Sequence, residues 1–82
     1  MKVAVHVTLK PGILDPQGQA VAQALRRLGF AEVADVRVGK YIEMKIDSAH
    51  MQGDVRERVE QMCRRLLANP VLEDFSIEDP TP

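Results

Sequence analysis

Hydrophobic and polar residues alternate from the first positions of the chain. Val3, Val5, Val7 and Leu9 fall on one side of an extended segment, with Ala4, His6 and Thr8 on the other. A period of two predicts a half-buried strand. Lys10-Pro11-Gly12 ends it, because proline removes a ladder donor and Pro-Gly favours a turn. The period then changes to that of a helix: Val21, Ala24, Leu25 and Leu28 stand at i, i+3, i+4 and i+7. Asp15 is placed to cap this helix and Pro16 to occupy its first position, where a missing N–H costs nothing. Gly29 supplies the left-handed residue of a Schellman ending, with Phe30 able to fold back onto Leu25.

Residues 33–47 predict two strands about Gly39-Lys40. Val33, Val36 and Val38 come before the break, and Ile42, Met44 and Ile46 alternate with Glu43 and Lys45 after it. A tight hairpin is the first reading, and one long bulged strand the alternative. A second helix starts between Ser48 and Asp54, where Asp54 and Glu57 have capping-box spacing. Its apolar stripe is Val55, Val59, Met62, Cys63 and Leu66, and Asn69-Pro70 stops it. Phe75 and Ile77 mark a last short strand, and residues 79–82 read as a frayed tail. A fixed shift along the chain carries Val21, Ala24, Leu25 and Leu28 onto Val59, Met62, Cys63 and Leu66, which supports a doubled βαβ unit.

The expected architecture is a single α+β domain over residues 1–82. It is a ferredoxin-like βαββαβ sandwich, an antiparallel sheet with two helices on one face. The other face would need cover, and a second copy of the chain is the simplest provider. At 82 residues the chain buries only roughly 60–65% of what its unfolded form exposes, so association is an easy source of stability.

Composition narrows the function classes. The chain is 45% hydrophobic and 28% charged, with a formal net charge of −1 and a pI of about 6.1. That balance favours neither nucleic acid nor an anionic membrane. Three aromatics, Phe30, Tyr41 and Phe75, are too few to stack single-stranded bases, which argues against an RNA-recognition domain. There is no apolar run near the ~18 residues of a membrane span, nor an apolar signal-peptide core at the start. The single Cys63 cannot form an internal disulfide, so a cytoplasmic location is expected.

Candidate chemistry is sparse. Cys63 lies mid-helix on the apolar stripe, the setting of a small buried hydrophobe rather than a nucleophile. His6 and His50 have no His, Cys or carboxylate at metal-ligand spacing. Gly39-Lys40 lacks the earlier glycine and the following Ser or Thr of a phosphate loop, having Ala34 and Tyr41 there. Gly12 and Gly18 do not make the spaced triplet of a dinucleotide turn. Arg26-Arg27 and Arg64-Arg65 occupy equivalent places near two helix ends, where the helix dipole favours cations. Two segments exceed what folding needs. In Asp15-Pro16-Gln17-Gly18, a glycine in the first helical turn implies close backbone approach by something. In Arg37-Val38-Gly39-Lys40, two cations flank a turn suited to an acidic partner or a phosphate.

Four blocks stand in register: Lys10-Pro11-Gly12-Ile13-Leu14-Asp15-Pro16-Gln17-Gly18, Leu28-Gly29-Phe30, Val36-Arg37-Val38-Gly39-Lys40, and Leu66 through Phe75. In wording and order they resemble the PurS family, from Val3 to about Glu78. The resemblance implies the small, non-catalytic subunit of phosphoribosylformylglycinamidine synthase in de novo purine synthesis. In that machine PurQ releases ammonia from glutamine, and PurL uses ATP and magnesium to convert formylglycinamide ribonucleotide to the amidine. The small subunit is expected to bind no cofactor of its own, to form a dimer or a dimer of dimers, and to bridge PurL and PurQ. Asp15, Gln17, Gly18, Arg37, Gly39 and Lys40 are then the candidate partner-binding residues. A small-metabolite-sensing regulatory module of the amino-acid-binding type shares the element order and is the alternative.

Overall fold

A computed structural model describes residues 1–82. The element order is β1 (Lys2–Leu9), α1 (Pro16–Arg27), β2 (Lys40–Lys45), a short 3-10 turn (Ser48–His50), α2 (Val55–Met62) running into a π-helical turn (Cys63–Leu67), and β3 (Glu73–Ile77). The sheet order is β2-β1-β3, with both neighbours antiparallel to β1. β2 and β3 therefore run parallel to each other on either side of β1, joined by α2. That is the split βαβ unit of a ferredoxin-like α+β fold.

The core sits where the alternating face of β1 meets α2. Val3, Val5 and Val7 are fully buried, together with Val59, Cys63 and Ala68. Val5 stands opposite Ile42 on one side and Ile77 on the other, so the strand is apolar across the whole sheet at its centre. The outer face is polar and paired. Lys2 meets Glu43 at 3.3 Å, His6 meets Glu78 at 2.6 Å, and Lys10 meets Asp74 at 2.6 Å. Such a face is content in water and does not itself demand the cover expected for it.

Four features depart from the sequence reading. The first concerns α1. Its ends form as expected: Asp15 caps Gly18 N–H, and Gly29 and Phe30 donate to the Arg26 and Leu25 carbonyls, with Gly29 at φ +105. Yet α1 does not pack on the sheet beside α2, and the buried core includes no residue from it. Val21 is 42% exposed and Leu28 74%. The face it does bury, Gly18 and Ala22, lies against the returning segment 33–38 rather than a sheet. Helix and return form an arm, and the molecule measures 51 × 27 × 14 Å. Its radius of gyration is 16.3 Å, where a compact domain of this length has about 12 Å.

The second departure is the missing strand. Residues 33–39 join no ladder, and pairing begins only at Lys40, opposite Val7. Neither the hairpin nor the long bulged strand forms. Both edges of β1 are already taken, and the Val38 N–H that a hairpin would use is held by Asp15 Oδ2 at 2.8 Å. The third departure is at the end of α2. Ala68 N–H reaches the Cys63 carbonyl at 2.9 Å, an i→i+5 bond that inserts one residue into the helical register. Leu67 takes the core position, and Leu66 is turned out to 83% exposure. Lastly, the segment after β3 does not fray: Thr81 exchanges two backbone bonds with Lys2, at 2.7 and 2.9 Å.

Candidate partner-binding site

The six candidate residues fall around the root of the arm, but most of their polar atoms face inward. Asp15 is buried, and its two oxygens are divided between Gly18 N–H at 2.9 Å and Val38 N–H at 2.8 Å. One carboxylate thus closes the first turn of α1 and ties the end of the returning segment to it. The Gly18 bond, then the Val38 bond, hold its pKa below the ordinary carboxylate value, with the Arg37 charge adding to them against partial desolvation.

Arg37 extends the tie. Its guanidinium donates to the carbonyls of Ile13 at 2.9 Å and Lys10 at 3.1 Å in the β1–α1 connection, and to that of Leu9 at 3.4 Å at the end of β1. Farther out, Arg26 donates to the Val33 and Ala34 carbonyls, both at 2.9 Å, and holds the outer part of the arm together. Gly18 and Gly39 make these approaches sterically possible. A Cβ on Gly18 would stand 2.1 Å from the Val36 carbonyl oxygen, and one on Gly39 2.4 Å from that of Val7. The body approaching Gly18 is the chain's own backbone. Lys40 donates to the Leu67 carbonyl at 3.2 Å while more than half exposed, and Gln17 is exposed. Asp15, Gly18, Arg37 and Gly39 are thus a joint that sets the arm's angle, with Gln17 and Lys40 on its open rim.

The depressed Asp15 pKa gives a pH signature. A carboxyl whose folded pKa lies below its unfolded value of about 3.9 contributes stability that is complete above that value. The contribution disappears as pH falls through the lower folded value. Asp15→Asn sets an amide NH2 against the Val38 N–H and removes the charge. We expect wild type to melt higher than the variant near neutrality and the gap to close below about pH 4. Thermal unfolding across acid pH checks this, and a gap of constant size would reject it.

Elsewhere the side chains support structure. Burial, and then Glu60, push the Cys63 thiol pKa up, which disfavours the thiolate. His6 packs against the Tyr41 ring at 4.8 Å on the polar sheet face. His50 lies 3.7 Å from Asp47, and no group of three His, Cys, Asp or Glu could hold a metal ion. The largest cavity is an open groove of about 610 Å³ along the joint, with Pro11, Gly12, Asp35, Arg37 and Asp74 in its walls.

Sequence reasoning missed the apolar surface. Besides the arm's Val21 and Leu28, the turn between α2 and β3 exposes Leu66, Val71 at 77% and Leu72 at 42%. The available signal was Val71-Leu72 directly after Asn69-Pro70, two large aliphatics in a turn. Leu66 itself gave none, because helical periodicity assigns it to the core.

Known proteins resemble this chain along nearly all of its length. The family model described as "PurS: Phosphoribosylformylglycinamidine (FGAM) synthase" matches residues 2–80. The phosphoribosylformylglycinamidine synthase subunit PurS of Bacillus subtilis is 49% identical over 77 residues, which is 94% of this chain and 89% of that one. Among solved structures, B. subtilis PurS superposes with a TM-score of 0.84 at 48% identity over 94% of each chain. A chain in the structure of PurLQS from Thermotoga maritima superposes with a TM-score of 0.81 at 28% identity, covering 94% of this chain and 93% of its own.

Proposed function

The chain belongs to the PurS family, and on that premise we propose that it is the small, non-catalytic subunit of phosphoribosylformylglycinamidine synthase, assembling with PurL and PurQ in de novo purine synthesis. The observation that carries this is the family match over residues 2–80, joined to an assembly of the same three subunit types in a relative whose fold superposes on this one. ATP, magnesium and glutamine belong to the other two subunits in this reading, and the chain's part is to hold them together. No helix is long and apolar enough to cross a membrane, and the cytoplasm is the compartment we assign.

The protomer's shape supports a homodimer. Its accessible surface is 6077 Å², where a compact monomer of this mass exposes roughly 4,900 Å². The excess is of the order that one partner buries in a standard interface, about 800 Å². In the dimer we propose, the stripe of α1 and the unladdered segment 33–38 lie against the second copy. The joint at Asp15, Gly18, Arg37 and Gly39 then sets the angle at which the arm meets its partner, and Gln17 and Lys40 line the rim facing the larger subunits. The metabolite-sensor alternative has no observation in its favour.

The test is reconstitution. PurL and PurQ from the same genome are mixed with glutamine, ATP and magnesium, and formylglycinamidine ribonucleotide is assayed with and without this chain. Omission is expected to lower the glutamine-dependent rate at least roughly tenfold, a loss of about 1.4 kcal/mol or more in effective coupling. Equal rates would overturn the assignment.

A further inference from the structure

We propose that the outer edge of β2 takes the β2 strand of a second copy, antiparallel and with Ile42 on the twofold axis, so that two three-stranded sheets become one. This deepens the homodimer reading above and rests on it. The ladder with β1 leaves that edge open. Ile46 N–H bonds to the Met1 carbonyl, so Met44, Ile42 and Lys40, opposite Val3, Val5 and Val7, also turn their main-chain groups toward β1. Tyr41, Glu43 and Lys45 alternate with them and aim theirs outward. Arg37 and Gly39, just before the strand, have no main-chain partner either. A run of unpaired N–H and C=O groups is a template for another strand.

The opposite edge of the sheet is partly closed. On β3 the outward residues are Glu73, Phe75 and Ile77. Glu73 N–H bonds to the Asn69 carbonyl at 2.7 Å, and the Ile77 carbonyl accepts from Arg56 at 3.2 Å. Only Phe75 keeps both groups free there. The β2 edge carries no proline, and its register with β1 is unbroken by a bulge. Segment 33–38, which lies against the second copy in the dimer proposed above, runs directly into it. The edge therefore continues a surface already assigned to that copy, and adds to the area the extended protomer leaves uncovered.

Side chains choose the register. With Ile42 opposite Ile42, Tyr41 faces Glu43, Val38 faces Ile46, and Arg37 faces Asp47. The two lysines meet no cation: Lys45 lies over Gly39, which has no side chain, and Lys40 over Met44. The other centres fare worse, because like charges directly opposite are destabilising. An axis at Tyr41 sets Arg37 against Lys45, one at Glu43 sets that carboxylate against itself, and one at Lys40 sets lysine against lysine. An axis at Met44 leaves only Tyr41 through Asp47 to pair, since the chain turns away at Ser48. Ile42 is the centre that joins opposite charges and aliphatics along the whole edge.

The test is hydrogen exchange on the full chain, read by NMR above and below the dissociation constant of the dimer. In the dimer the amides of Gly39, Tyr41, Glu43 and Lys45 should exchange at least roughly tenfold more slowly than in the monomer. Those of Ile42 and Met44, bonded to β1 in either state, are the internal reference. Equal exchange in a dimeric sample would overturn the edge pairing and leave the homodimer standing. A chain that stays monomeric at every concentration removes the homodimer and the edge with it. Protection that appears only on adding PurL or PurQ would give the edge to a companion subunit and also overturn the proposal. Register is read separately, from Lys40→Cys, Ile42→Cys and Met44→Cys treated one at a time with oxidised glutathione. Facing residues of a non-hydrogen-bonded pair have Cα atoms about 4.5 Å apart, within disulfide reach. Only Ile42→Cys should give a cross-linked dimer, and wild type, whose Cys63 is buried, should give none. Cross-linking through Lys40→Cys or Met44→Cys instead would overturn the assigned axis. Should Ile42→Cys not fold, those two variants and the exchange of wild type still decide.

Discussion

Gly18→Ala is expected to lower the melting temperature by about 10 °C, although alanine is the better helix former. Two effects oppose each other. Replacing a helical glycine by alanine favours the helix by up to ~1 kcal/mol. Against this, the new methyl would stand 2.1 Å from the Val36 carbonyl oxygen, and that atom belongs to backbone rather than to a movable side chain. Relief requires the return segment to shift by nearly an ångström. It is tied on one side by Arg26 to Val33 and Ala34, and on the other by Asp15 to Val38. Overpacking of this kind costs roughly 1–3 kcal/mol and sometimes more. A net loss of ~2 kcal/mol moves the transition of a domain this small by about 10 °C. Hydrogen exchange supplies the local readout: the Val38 amide, protected by Asp15 in wild type, should exchange faster in the variant. A higher melting temperature, as helix propensity alone demands, would refute the close approach.

Val21→Glu with Leu28→Glu is expected to convert the dimer proposed above to monomers, raising its dissociation constant roughly 100-fold or more. Both positions are exposed in the protomer and lie outside its core, so the monomer's circular dichroism should be unchanged. In a dimer that covers the arm, each copy would bury two carboxylates without partners, and the desolvation of unpaired charge dominates. Analytical ultracentrifugation across micromolar concentrations distinguishes the states. A double variant that remained dimeric would show that self-association uses another face.

The parts of this fold that were legible from sequence are those decided within a few residues. Asp15-Pro16 and Leu28-Gly29-Phe30 specify the ends of α1 by capping and by one left-handed glycine, and both form as read. The alternation of Val3, Val5 and Val7 specifies a strand with one buried face in the same way. What could not be read depends on distant partners. Val38 is drawn from a strand by the second oxygen of Asp15, 23 positions away, and nothing around Val38 announces it. The π turn leaves no compositional mark, so periodicity placed Leu66 in the core. The candidate site was half legible. Glycine in the first turn of α1 marked a close approach, and the residues around it do converge. Their convergence fastens the chain to itself, and the exposed aliphatics lie beyond them.

The place of β1 has a consequence for how the protein is made. Of the three strands this one is synthesised earliest and contributes three of the fully buried core valines, yet its flanking strands are Lys40–Lys45 and Glu73–Ile77. Val5 pairs with Ile77, 72 residues on, so the sheet cannot close until the chain has been synthesised through β3. Long-range pairing of this kind slows folding. For most of translation the nascent chain carries a valine-rich segment with both edges open, the condition under which extended segments join to one another. Cells making this protein at high rates therefore have reason to shield β1 until β3 is available.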